Sequence, residues 1–335
     1  MGSSHARAYA KLEGFTLAGL VDHSREKAER LSRELGGVPV YDSLKGAINA
    51  AGPDAAAICT YPETHGALTL QALEARLHVF VEKPLAPDVA GADEIVRRAG
   101  KARRKVVVGY ILRQNPAWQR FIEEARNLGK PLVMRMNLNQ QSSGAEWEVH
   151  KKLMQSISPI VDCGVHYVDV MCQMTRSRPV RVQAIGARLS GEIGESMYNY
   201  GHLHVVFEDG SVGWYEAGWG PMMSETACFV KDVIGPKGSI SIGGPGGGAG
   251  SSDIGSHTTT GSLIRHDAAS MTNLRIDTSD EPDHQELCTR EQAYFREAIE
   301  KDLDLGEHLT DAVTSLRVVL AADESVRTGA VIHLT

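Results

Sequence analysis

Short apolar runs of strand character alternate with stretches of helical period through the first hundred residues, and few architectures accept that alternation. Residues 16–21 form an apolar β-type run that ends in Asp22. A helical pattern follows over 25–35, with Gly36 and Gly37 as its stop signal. Residues 55–59 read as a buried strand, 64–75 as a helix, 78–81 as a strand, 88–102 as a helix and 105–110 as a strand. Strands and helices alternating at this spacing make βαβ units, whose parallel strands are covered by helices on both faces. This part of the chain is α/β.

The remainder has a different rhythm. A helix over 116–128 leads to an extended segment over 132–140, and beyond a further helix come strand-like runs at 180–189, 202–207, 211–217 and 227–234. Turn signals such as Asp209-Gly210 separate neighbouring runs, as antiparallel hairpins require. Helical stretches over 290–300 and 311–327 close the chain. This is α+β, one large and mostly antiparallel sheet with helices. At 335 residues the chain has the length of about two domains. The change of pattern divides it into 1–112 and 113–335. Between 243 and 261 glycine, serine and threonine dominate, no phosphate-cradling glycine motif is present, and a mobile surface loop is expected.

Composition removes several functions. Apolar residues make up 42% of the chain, too many for disorder, and no run approaches the roughly 18 needed to cross a bilayer. The net charge of −7 opposes general nucleic-acid binding. The basic cluster Arg97, Arg98, Lys101, Arg103, Arg104 and Lys105 sits at a helix end and reads as a solvated face. Five scattered cysteines contain no C-x-x-C pair, and no export signal precedes them. Reduced thiols in the cytoplasm are expected, mostly in the core.

Three segments carry candidate chemistry. In Ser158-Pro-Ile-Val-Asp-Cys-Gly-Val-His-Tyr-Val-Asp169, Ser158 is a good N-cap and Pro159 suits the first helical position. Asp162, His166 and Asp169 then share one face of an otherwise apolar helix. Such a stripe is either an acid/base site or a structural hydrogen-bond pair, and a metal site lacks an evident third ligand. In Val79-Phe-Val-Glu-Lys-Pro84 a strand ends and leaves Glu82 and Lys83 at its carboxyl edge, where open α/β sheets bind ligands; a solvated junction is the plain alternative. Asp22 lies twenty residues after Gly2, the spacing between a glycine turn and a ribose-binding acid, and equally suits an N-cap. The aromatic residues Trp214, Tyr215 and Trp219 could stack on a sugar, but read rather as a sheet face buried in the core or against a second subunit.

Together these segments resemble the glucose–fructose oxidoreductase/inositol dehydrogenase/rhizopine catabolism (Gfo/Idh/MocA) oxidoreductases, over nearly the whole chain. The strongest likenesses are His78-Val-Phe-Val-Glu-Lys-Pro-Leu85 and Asp162-x-Gly-x-His166. Cys59-Thr-Tyr-Pro-Glu-Thr-His65, Gly109-Tyr-x-x-Arg113 and Ser325-x-Arg-Thr-Gly329 are also similar. The resemblance implies an N-terminal Rossmann domain, then an α+β domain whose open sheet serves as a homodimer or homotetramer interface. It implies NAD as cofactor, with NADP possible through Arg25, and a sugar, inositol or related polyol as substrate. His166 would be the acid/base group, Asp162 would orient substrate, and Lys83 would bind the reacting hydroxyl. Gly2, Ser3, Asp22, Thr60, Pro62, His65, Glu82, Lys83 and Arg113 would surround the cofactor. Trp147, His150 and Lys152, on an expected loop, are candidates for substrate contacts. Family members open with a strand and a full G-x-G-x-x-G turn, whereas this sequence opens at Met1-Gly-Ser-Ser-His. Gly2-x-x-His5 resembles the last glycine of that turn with the start of its helix, and a complete chain of this kind would lack the first strand. A glycosidase using nicotinamide transiently and a non-catalytic ligand-binding protein are the alternatives.

Overall fold

A computed structural model describes residues 1–224, 227, 229–243 and 254–334. The chain forms two compact units, one of Met1–Gly109 with Gln285–Thr310 and one of Tyr110–His284 with Asp311–Thr335.

The first unit contains α1 (Gly2–Lys11), β1 (Leu20–Val21), α2 (Arg25–Glu34), β2 (Val40–Tyr41), α3 (Leu44–Ala51), β3 (Ala55–Ile58), α4 (Pro62–Glu74), β4 (His78–Glu82), α5 (Val89–Ala102) and β5 (Val106–Gly109). All its strands pair in parallel, in two hydrogen-bonded groups, β1-β2 and β3-β4-β5. Local chemistry fixes the helix starts. Ser24, Ser43 and Asp88 each accept a backbone N–H of the first turn that would otherwise be orphaned. On β3-β4-β5, Phe80 and Val107 face a cluster with Tyr9 of α1 and Phe295 and Ala298 of α9 (His284–Glu300), closed by Leu305. Residues 285–310, placed by sequence with the second part, therefore group with the first unit. Their apolar side chains complete a core that α1 alone cannot fill. Arg97 and Arg98 of the basic cluster pair with Glu94 at the surface, whereas the Lys105 side chain is mostly buried and pairs with Asp302.

The second unit is built on a sheet of nine strands among the described residues. They are β6 (Val133–Gln141), β7 (Pro179–Ala187), β8 (Tyr200–Phe207), β9 (Val212–Gly220), β10 (Lys231–Gly235), β11 (Gly238–Ile242), β12 (Ser262–Asp267), β13 (Thr272–Asp277) and β14 (Ile332–His333). Their order is β13-β12-β11-β10-β6-β9-β8-β7-β14, and only β6 and β9 run parallel. Asp209-Gly210 makes the β8–β9 turn; Gly210 has φ 83°, a left-handed conformation that glycine adopts without strain.

Helix α8 (Pro159–Thr175) lies on this sheet, and α6 (Pro116–Asn127), α7 (Gly144–Leu153) and most of α10 (Gly306–Thr328) belong to the same unit. Gly164 explains the close approach of α8, since a Cβ there would sit 3.0 Å from the ring of Tyr215 on β9. Most of the expected loop over 243–261, together with Cys228, lies outside the described residues. Its described end is anchored rather than loose: the Thr258 carbonyl accepts hydrogen bonds from Asn115 and Trp118, and Thr260 is fully buried.

Candidate active site

In the first unit, α1 begins at Gly2, and no side chain caps its first turn. Ser4 and His5 already donate to the Met1 carbonyl, which leaves the amides of Gly2 and Ser3 at the open end of the helix. Such an end suits a diphosphate, because unsatisfied N–H groups and the helix dipole both favour an anion. Asp22 is exposed just after β1, and its Oδ1 accepts from the Ser24 amide (2.7 Å). The N-cap of α2 is Ser24, not Asp22. Arg25 is engaged by Glu29 and Asp42. These features fit a dinucleotide with an unphosphorylated ribose at Asp22.

The Glu-Lys-Pro turn is held from within. His65, at the start of α4, is fully buried, with Nδ1 2.7 Å from the Pro84 carbonyl and Nε2 3.0 Å from that of Thr60. It ties the loop over 60–65 to the turn that presents Lys83. Pro62 occupies the first turn of α4, and Thr60 hydrogen-bonds Thr64. Lys83 is half-buried, and its amide donates to Glu82 Oε2 (3.3 Å). Glu82 ends β4 as the sequence predicts, but its side chain is not exposed. Its carboxylate is buried and accepts from His5 Nε2 at 2.7 Å. Burial alone would raise its pKa, but the hydrogen bond and charge of His5 hold it well below the usual carboxylate range. Glu291 on α9 goes the other way, pushed well up by burial and by the charge of Glu82.

In the second unit, Ser158 caps α8 by accepting the Val161 amide, with Pro159 in the first turn, as the sequence predicts. Asp162 and His166 are half-buried on this helix, and the His166 ring meets Tyr110 edge-on at 5.8 Å. Asp169, a turn further on, is structural, because Arg113 donates to both of its oxygens and to Asp311. The Arg113 guanidinium is thereby committed to two carboxylates within this unit.

The segment with Trp147, His150 and Lys152 is helix α7, not a loop. Trp147 is buried and donates to Glu192 (3.2 Å), and Lys152 is exposed. His150 stacks on Trp219, with centroids 4.5 Å apart and planes 4° from parallel, and its Nδ1 lies 2.8 Å from Ser142 Oγ. Burial lowers its pKa to about 4 against a raising effect of Asp162, so the ring is neutral near pH 7. Trp219 donates to Gln140 Oε1 (2.7 Å), which also lies 3.7 Å from the Cys163 thiol. Tyr215 stacks on Tyr167. Gln140 and Ser142 have no motif to announce them. The alternation of β6 is the only signal that turns Gln140 toward α8.

Comparison with known proteins decides the family. Residues 1–110 match the oxidoreductase family model with an NAD-binding Rossmann fold, and residues 120–241 match the Gfo/Idh/MocA C-terminal domain model. The chain belongs to the Gfo/Idh/MocA oxidoreductase family. Its relatives include scyllo-inositol 2-dehydrogenase (NAD+) of Bacillus subtilis, 26% identical over 100% of this chain and 93% of that enzyme. UDP-N-acetylglucosamine 3-dehydrogenase of Acidithiobacillus ferrooxidans is 29% identical over 56% of this chain, a match spanning about half (55%) of that enzyme. An Agrobacterium radiobacter oxidoreductase, solved with NAD+, L-tartaric acid and magnesium, has the same fold: TM-score 0.80, 15% identity, covering 99% of this chain and 95% of that one. Family membership makes the first unit an NAD-binding Rossmann domain and the chain an oxidoreductase. No helix among the described residues is long and apolar enough to cross a membrane.

Proposed function

We propose that the protein oxidises a secondary alcohol of a sugar, inositol or related polyol with NAD+. The first unit takes the dinucleotide and the second the substrate. The observation that carries this reading is α8, which holds the half-buried Asp162 and His166 one turn apart while Arg113 pairs with Asp169 below them and with Asp311. A carboxylate and an imidazole one turn apart on a helix are the residue types that general acid/base chemistry uses. The relatives' hydroxyl-oxidising activities supply the substrate class.

Gly2 and Ser3 would hold the diphosphate by their amides, Asp22 the adenosine ribose, and Thr60, Pro62 and His65 would shape the loop beside it. The carboxylate of Asp22 repels a 2′-phosphate, which favours NAD over NADP. Bound nicotinamide supplies the hydride acceptor. His166 takes the hydroxyl proton as general base, and Asp162 orients the substrate hydroxyls. The Lys83 ammonium stabilises the developing alkoxide. His150, neutral and fixed by Trp219 and Ser142, contributes a polar contact that does not change charge near neutrality, and Trp147 with Lys152 complete that side.

A second copy of the chain would pair through the sheet face opposite α8. Cross-strand partners Ile185 with His202, His204 with Trp214, and Val133 with Val212 line this face, and Ile185, Val133, Val212 and Ile234 are exposed. Val133, Val212 and Ile234 are cross-strand neighbours, and exposed apolar side chains grouped in this way mark association surfaces. Cys59, Cys163, Cys172 and Cys288 form no disulfide, which favours a reducing cytoplasmic setting.

The test is NAD+ reduction across inositols, aldoses and nucleotide sugars. Turnover with at least one class, lost in His166→Ala, is the expected result. Product release without net NADH would favour the glycosidase alternative. Full turnover by His166→Ala would overturn the assignment.

A further inference from the structure

His5, Cys288 and Glu291 place an imidazole, a thiol and a carboxylate together inside the first unit. One donor atom from each lies within 4.8 Å of the other two. All three are buried, with exposures of 1%, 0% and 3%. Cys288 and Glu291 stand three residues apart on α9 and so share a face, while His5 comes from α1.

A second observation concerns Glu291 alone. Both of its carboxylate oxygens are buried without a hydrogen-bond partner. Buried carboxylates are normally paired, hydrogen-bonded or bound to a metal, and this one has neither of the first two. The imidazole is also arranged as a metal ligand is. Its Nε2 is bonded to Glu82 (2.7 Å), whereas Nδ1 faces α9, where Gln292 lies 2.7 Å away. A carboxylate on the far nitrogen of a ligating histidine fixes the ring and raises its basicity.

We propose that His5, Cys288 and Glu291 bind one divalent cation of the zinc class, with Glu82 orienting the imidazole. Thiolate and imidazole together select a borderline-soft ion over magnesium or calcium, which prefer oxygen donors. Tetrahedral zinc has bonds of roughly 2.0–2.3 Å, so donor atoms within 4.8 Å need to close by about 1 Å. Rotation of the Glu291 and Cys288 side chains supplies that distance. Gln292 gives up Nδ1, and the Cys288 thiol and the Glu291 carboxyl each lose a proton to solvent. The ion would clamp α1 to α9 beneath the helix end assigned to the diphosphate. Binding of the metal is independent of the dehydrogenase reading, because no reactive group of that reading is a ligand.

The whole chain, stripped with chelator, is titrated with Zn2+ against a chromophoric competitor, and separately with Co2+ by absorbance. Expected are one equivalent per chain and a thiolate-to-cobalt charge-transfer band. Cys288→Ser should abolish the band and weaken zinc about 100-fold, and Glu291→Gln about 10-fold. Metal-free variants should melt close to metal-free wild type, and only wild type should gain on adding zinc. Should either variant fail to fold, wild-type Cys288 must be protected by zinc from alkylation, read by peptide mass spectrometry. No stoichiometric binding, unchanged affinity in both variants, or unprotected Cys288 would each overturn the proposal.

Discussion

The stacked, buried His150 makes a prediction that can be worked through. In the unfolded chain its imidazole has a pKa near ~6.5. In the folded chain burial lowers this to about 4. The unfolded state therefore binds more protons between these values. The stability contribution is fully present above the unfolded pKa and is lost as pH falls through that window. Linkage gives a loss of about 2 kcal/mol from this group between roughly pH 7 and pH 5. For a unit of this size that is on the order of 4–8 °C in Tm.

His150→Phe keeps an aromatic ring against Trp219 but cannot take up a proton. It loses the Ser142 contact at about 1 kcal/mol, a cost that does not vary with pH over this range. The assay is urea unfolding followed by tryptophan fluorescence at closely spaced pH values for both proteins. The difference in slope isolates His150, since all other groups titrate in both. Stability of the variant should fall by about 2 kcal/mol less over the interval. Parallel pH profiles would refute a neutral, desolvated His150.

Other substitutions probe other parts of the account. Lys83→Ala and His166→Ala should each lower kcat by about 10²–10⁴ while NADH affinity changes little, and a wild-type kcat would remove the assigned role. Arg113→Ala strips the buried Asp169 of its partner and should cost about 3–5 kcal/mol by chemical denaturation. A loss below ~1 kcal/mol would show that the pair is solvated. Gly164→Ala gains roughly 1 kcal/mol of helix propensity but forces a methyl to 3.0 Å from Tyr215, an overpacking of about 1–3 kcal/mol. Net destabilisation is expected in a melt, and net stabilisation would contradict the close approach of α8.

The α/β pattern was legible because periods of 2 and 3.6 are local properties of the chain. Helices such as α2 and α5 carry both a cap and a stripe. Helix α7 is not legible in this way, because Trp147 is its only buried side chain and its remaining residues read as a polar loop. The eight-residue α3 buries nothing fully and is equally silent. At the site, Ser158, Asp162 and His166 are readable since a single helix spaces them. The His5–Glu82 bond joins residues 77 positions apart, and the Arg113–Asp169–Asp311 cluster spans three elements. No local pattern encodes such pairings. They follow from the fold.

The central claim is that the first unit binds NAD through the open end of α1 and the carboxylate of Asp22. The most direct measurement is titration of the chain with NADH and with NADPH, followed by nicotinamide fluorescence, for wild type and Asp22→Ala. The account predicts saturable NADH binding by wild type, weaker binding of NADPH, and a variant that loses about tenfold toward NADH but little toward NADPH. No saturable binding of either dinucleotide, or equal losses for both in Asp22→Ala, would contradict it.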